Sequence, residues 1–165
     1  MIKLYRLAQV PKAYWETWEN DDGSHLVHWG RLGTRGNQKT VKDSLLRKAA
    51  RKVSKEMDEM LAQGFEEIDA GLHQALVVEY AIEGMGTMED LDKRHRLEDR
   101  MNQTLGWTGL GHCDGGSIGN GTMEVFNLVV DFELARAVVE EDLEGTDFSD
   151  YLRIYNEMED LGEAH

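Results

Sequence analysis

Ser24-His25-Leu26-Val27-His28-Trp29-Gly30-Arg31-Leu32-Gly33-Thr34-Arg35-Gly36 opens as a strand and closes as a turn. Leu26, Val27 and Trp29 suit a pleated, half-buried surface, and glycines at 33 and 36 suit a tight turn between antiparallel strands. Upstream, Ala13-Tyr14-Trp15-Glu16-Thr17-Trp18-Glu19 has the same aromatic and threonine-rich character, and Asn20-Asp21-Asp22-Gly23 supplies turn chemistry between the two runs. A hairpin is therefore expected. Residues 2–7 alternate as a further strand before it, and residues 38–41 read as a short strand after it.

From Ser44 the period changes. Leu46, Ala49, Ala50, Val53, Met57, Met60 and Leu61 recur at helical spacing, with Ser44 or Asp43 as the expected N-cap. The opposite face carries Arg47, Lys48, Arg51, Lys52 and Lys55, followed by Glu56, Asp58 and Glu59. An amphipathic helix of this kind covers one face of a sheet.

The run Trp29-Gly30-Arg31-Leu32-Gly33-Thr34-Arg35-Gly36, between an aromatic strand and an amphipathic helix, resembles the WGR domain family over about residues 1–68. That family includes a domain of DNA-damage-activated poly(ADP-ribose) polymerases and bacterial proteins related to a molybdate-metabolism regulator. The resemblance implies contact with DNA or RNA, with Trp29 packing on a sugar at a nucleic-acid end and Arg31 reaching backbone or a neighbouring domain. Gly30, Gly33, Arg35 and Gly36 complete the candidate binding segment. An indole offers a flat apolar face to a ribose or base, and arginine presents a planar fork of donors to phosphate.

A plainer reading stands beside this one. Trp29 can be a buried sheet residue, Gly30 a bulge, and Arg31 a partner for a nearby carboxylate. The cations Lys48, Arg51, Lys52 and Lys55 can attract phosphate, or can simply be the solvated face of a helix. Neither reading supports sequence-specific base contacts. His25 and His28 lie three apart in a strand and so point to opposite faces, which argues against a shared metal site.

The full chain has 165 residues, one proline, one cysteine and a formal net charge of −14. Its charge is unevenly divided. Residues 1–70 hold 12 Lys+Arg against 11 Asp+Glu, whereas residues 71–165 hold 6 against 21. Two units with different partners are expected, a domain over residues 1–69 and an acidic one over 70–165, divided near Asp69-Ala70-Gly71. The acidic unit suits a basic protein partner. The lone Cys113 excludes an intramolecular disulfide and a multi-cysteine zinc cage, and reads as a small packed hydrophobe. No apolar run approaches the roughly 20 residues of a membrane helix, and the N-terminus does not read as a signal peptide, so no membrane association and a cytoplasmic location are expected.

From Leu72 the elements follow the βαββαβ order of a ferredoxin-like sandwich, making the whole chain α+β. Residues 74–82 are the first strand of this unit. Thr87 and Asp90 form a capping box for a helix reaching about Leu105. Residues 106–112 and 122–130 are strands bracketing a glycine-rich connection, Asp114 to Gly121. Residues 132–143 form the second helix and 151–155 the last strand, and the acidic tail from Glu157 to His165 is expected to fray.

Arg94 and Glu98 fall on the stripe of Leu91, Met101 and Leu105. A ligand site, if this unit has one, is expected where Arg94, Glu98, His112, Gly115 and Gly116 meet; the alternative is an i,i+4 ion pair with its stems on the core. The glycine-rich connection matches neither a Walker loop nor a dinucleotide fingerprint, and a hairpin loop or bulge explains it. No nucleophile with a base, no metal set and no tuned carboxylate pair emerges from the spacing, so no catalytic residue, metal or cofactor is expected. The leading expectation is a non-catalytic, bacterial-type binding protein. The alternative is a protein-interaction or immunity-like regulatory subunit with no nucleic-acid role.

Overall fold

The computed structural model describes residues 1–163, which divide into two compact units, Met1–Ala70 and a second from Gly71 onward. The first is a four-stranded antiparallel meander of β1 (Ile2–Arg6), β2 (Ala13–Glu19), β3 (His25–Arg31) and β4 (Asn37–Val41), in that spatial order. Helix α1 (Ala49–Ala62) covers one face. Because strand side chains alternate, Leu4, Trp15 and Val27 point to the same face, where they pack with Val53 of α1 and with Phe65. After α1 the chain returns along β1, with Tyr5 and Glu66 exchanging backbone hydrogen bonds of 2.8 and 2.9 Å. This return places Phe65 beside the sheet.

Helix α1 begins later than its hydrophobic period suggests. Residues 42–48 lie outside any helix or strand, with bends at 45 and 46, and Leu45 and Leu46 are wholly exposed, so Leu46 does not belong to the buried stripe. Ser44 does not cap the helix; its hydroxyl accepts from the Arg47 amide at 3.2 Å. Lys48 occupies the N-cap position with no side-chain cap, while Asp43 accepts from the Ala49 amide at 2.7 Å. That hydrogen bond holds the Asp43 carboxyl below the usual carboxylate range, with help from Lys48. The expected capping chemistry is present but reaches across a loop.

The second unit contains β5 (Gln74–Ala81), α2 (Met88–Trp107), β6 (Gly111–Gly119), β7 (Thr122–Val129), α3 (Phe132–Leu143), β8 (Arg153–Asn156) and α4 (Glu157–Glu163). Its sheet has the spatial order β6-β7-β5-β8, antiparallel throughout, which is the arrangement of a ferredoxin-like sandwich. Thr87 and Asp90 form the reciprocal capping box of α2. Leu97, Met101 and Leu105 of α2, and Ala135, Val139 and Leu143 of α3, are buried with Leu76, Val78, Met123 and Val125 of the sheet. Arg100 ties the two helices through Asp142 at 2.8 Å.

Three assignments change here, the first being residues 106–110, expected to begin a strand, which are the end of α2 and the turn after it. The glycine-rich segment is no connection: residues 111–119 are strand, with a register shift between Cys113 and Gly115, and the turn is only Asn120-Gly121. Glycine-rich composition hides a strand because it lacks the side chains by which strands are recognised. Residues 157–163 are helical instead of frayed, while Ala164 and His165 lie outside the described residues.

Candidate nucleic-acid interface

Trp15 and Trp29 are cross-strand partners on the helix-facing side of the first sheet, and Glu16 and His28 are partners on the other side. On that other side lies a buried polar relay. His28 is 1% exposed and Glu16 5%. The His28 Nδ1 lies 2.7 Å from a Glu16 carboxylate oxygen, and its Nε2 lies 2.6 Å from the Arg35 carbonyl and 3.1 Å from the Tyr14 hydroxyl. Tyr14 in turn donates to the Thr34 carbonyl at 2.8 Å. Two consecutive loop carbonyls are thus pinned to the sheet.

The same geometry explains the pair of glycines that bracket the loop. A Cβ on Gly30 would lie 2.7 Å from the Gly36 Cα. One on Gly36 would collide with the Trp29 carbonyl and the Tyr14 hydroxyl, and Gly36 has a φ of +61°. The end of β3 and the returning loop pass too closely for side chains. Burial raises the Tyr5 phenol to about 12 and pushes Tyr14 higher still, with the negative Glu16 adding to both.

Trp29 is half-buried, with one part of its ring on the apolar cluster and Lys39 Nζ 5.4 Å from the ring centre. Beside it opens a cavity of about 270 Å³, bordered by Trp29, Gly30, Arg6, Gln63, Met60 and Phe65 among others. Arg6 lies over the Phe65 ring at 4.9 Å, and its buried Nε has no hydrogen-bond partner among the described residues. Glu56 closes another side, accepting from Trp15 Nε1 at 3.1 Å and pairing with Lys39 at 2.7 Å. Arg31 and Arg35 are exposed on the adjoining strand end and loop. The cavity offers a flat aromatic wall and a guanidinium, which is the chemistry of a sugar or base next to a phosphate.

Residues 12–71 match the family model of the WGR domain. The first unit is a WGR domain. The match ends at residue 71, so the acidic unit lies outside it, and neither a curated protein nor a solved structure matches the chain.

Within the WGR unit, the proposed binding residues separate into two groups. Of the motif residues, Trp29 and Gly30 line the cavity with Glu56, Met60 and Gln63 of the second half of α1 and the residue after it. Lys48, Arg51 and Lys52 sit toward its N-terminal end, with Lys48 and Glu56 about 12 Å apart along the helix axis, and Lys55 lies mid-helix next to Glu56. Lys48 pairs with Asp43 at 3.1 Å, and Lys52 Nζ donates to the Lys42 carbonyl at 2.8 Å, so both also hold the loop before α1. Arg51 and Lys55 are exposed.

In the acidic unit, Arg94 and Glu98 do meet Gly116. The Arg94 Nε lies 3.1 Å from a Glu98 oxygen, and a Cβ on Gly116 would lie 2.8 Å from that oxygen and 3.0 Å from the Arg94 Cδ. The glycine therefore makes room for an ion pair flat against β6. His112 stands apart: it pairs with Leu128, whose side alternates with that of buried Val129 and Asn127 facing the helices. Gly115 sits at the bulge with a φ of +122° and open space around it. Cys113 is half-buried, and its thiol is raised by burial first and then by Glu98, Asp114 and Asp99. A thiol so disposed is a poor nucleophile.

Sequence reasoning missed Arg6, Tyr14, Glu16, His28, Gln63 and Phe65. The one available signal was the hairpin register, which sets Glu16 opposite His28. Among the described residues, no group of three or more His, Cys, Asp or Glu could hold a metal, and no helix is long and apolar enough to cross a membrane.

Proposed function

We propose that this is a non-catalytic binding protein whose WGR unit contacts nucleic acid, with its acidic unit reserved for a basic protein or another ligand. The observation that carries the reading is the half-buried Trp29 forming a wall of the cavity that Arg6 also lines, with Arg31 and Arg35 exposed in the strand end and loop that follow Trp29. Phosphate attraction gives affinity and the indole gives a stacking surface, and neither reads base sequence. The net of +1 in residues 1–70 permits a local basic surface there, whereas residues 71–165 repel phosphate.

Fluorescence anisotropy of a labelled blunt or nicked duplex, titrated with the full chain at low and moderate salt, tests this reading. Binding should fall steeply with salt, and Trp29→Ala should weaken it by about tenfold or more, the usual worth of one stacking contact. Salt-insensitive or absent binding overturns it. The excess of carboxylates after residue 70 then favours the second reading, a regulatory subunit that docks a basic protein, which copurification under low salt would detect.

A further inference from the structure

His28 faces hydrogen-bond acceptors on both of its ring nitrogens. Its Nδ1 meets the Glu16 carboxylate at 2.7 Å and its Nε2 meets the Arg35 carbonyl at 2.6 Å. A backbone carbonyl never carries a hydrogen, and we take the Glu16 carboxyl, which also faces Lys3 Nζ at 3.7 Å, in its ionised, acceptor-only form. Tyr14 spends its single hydrogen on the Thr34 carbonyl, so toward His28 Nε2 its oxygen is a third acceptor. A neutral imidazole has one N–H. Whichever tautomer it took, a bare nitrogen lone pair would confront an oxygen at 2.6 or 2.7 Å inside a nearly water-free pocket.

We propose that His28 is an imidazolium latch: both ring protons are held, one on Glu16 and one on the Arg35 carbonyl, and together they fasten the Gly33–Gly36 loop over the sheet. The groups facing the ring come from several elements. Strand β2 contributes Glu16 and Tyr14, β1 contributes Tyr5 and Lys3 next to Glu16, β4 contributes uncharged Gln38 opposite His28, and the loop contributes the backbone of Thr34 and Arg35. Glu16 is the counter-charge that makes a buried cation tenable.

The latch acts on the neighbours of His28. Trp29 follows it directly in the strand, Gly30 packs on Gly36, and Arg35 is held by the carbonyl that His28 grips. His28 is thus a positioning residue for the motif, and through it the loop is sensitive to pH. The sign is that of a cation stabilised in the folded state: the latch is intact while the second proton is bound and opens as rising pH removes it. That this controls nucleic-acid binding rests on the function proposed above; the latch does not.

The test uses the full chain with ¹⁵N-labelled histidine and no nucleic acid. Ring ¹⁵N signals of His28 and amide exchange of Thr34–Gly36 are followed from about pH 5.5 to about pH 9.5, the range in which imidazole titrates. Both ring nitrogens should carry hydrogen at the acidic end, and loop protection should fall in step with loss of the second proton. Glu16→Gln, which keeps shape and removes the counter-charge, should move both events together to lower pH. A bare ring nitrogen while the loop is protected, or loop exchange indifferent to the His28 titration, overturns the latch. His28→Gln restores one donor only and should weaken duplex affinity about tenfold, the worth of one hydrogen bond to a charged group. Correct ring and loop behaviour without duplex binding supports the latch and removes only the nucleic-acid reading.

Discussion

The molecule has two glycine-rich stretches, residues 30–36 and 111–121, and they do opposite things. In the first, glycines let a loop fold back until its backbone touches the strand it left, and side chains from β2 and β3 hold it there. In the second, glycines line a bulged strand, and Gly116 leaves room for the Arg94–Glu98 pair of α2. One stretch builds a presented surface, and the other admits a helix. Glycine content therefore marks close approach without saying what approaches.

The difference can be broken by adding a methyl group. Gly36→Ala should have the largest effect, about 3 kcal/mol or more of lost stability in the WGR unit, because positive φ and a backbone collision coincide. Gly115→Ala meets open space and should cost only the backbone strain of its positive φ, about 1–3 kcal/mol. Chemical denaturation of each variant measures both. Equal costs would mean that the loop of residues 30–36 is not clamped.

Raising the pH sharpens the same contrast from the charge side. The Tyr5 phenol rises from 10.0 to about 12 on folding, by burial and by Glu16. A raised acid stabilises the fold below its unfolded value and loses that contribution as pH climbs through the folded one. Stability should therefore decline between about pH 10 and about pH 12, by up to about 2 kcal/mol for Tyr5. Denaturant melts of wild type and Tyr5→Phe, which lacks the titrating hydroxyl, should diverge only in that window.

The smallest effect concerns the approach to α1. Leu45→Ser and Leu46→Ser should each change stability by less than about 0.5 kcal/mol, because both residues are wholly exposed. Val53→Ala, one helical stripe away in the buried cluster, should cost about 1–2 kcal/mol. A large loss at Leu46 would return it to the helix face that its spacing suggests.

Much of the fold was legible because its signals are local. Alternation and aromatic, β-prone composition located the strands of the first unit, the Asn20–Gly23 turn chemistry located the hairpin, and Thr87 with Asp90 located the start of α2. The candidate site was legible only in part. Trp29, Gly30, Arg31 and Gly36 stand in one run, but Arg6 and Phe65 lie 23 and 36 positions from Trp29 and reach the cavity only through strand pairing and the return along β1. His28 was read as one of two histidines pointing apart. That much is correct, and its partners Tyr14, Glu16 and Arg35 were invisible because they lie outside its own strand.

What the chain order alone determined is the succession of elements, the division of charge near residue 70 and the motif that marks the WGR unit, since each depends on periodicity, composition or adjacency. Tertiary structure decided which glycines are clamped, how far Trp29 is buried, and which oxygens meet the His28 ring nitrogens. Those depend on register and on loop return, where a shift of one residue moves every side chain to the other face, and no local pattern encodes that outcome.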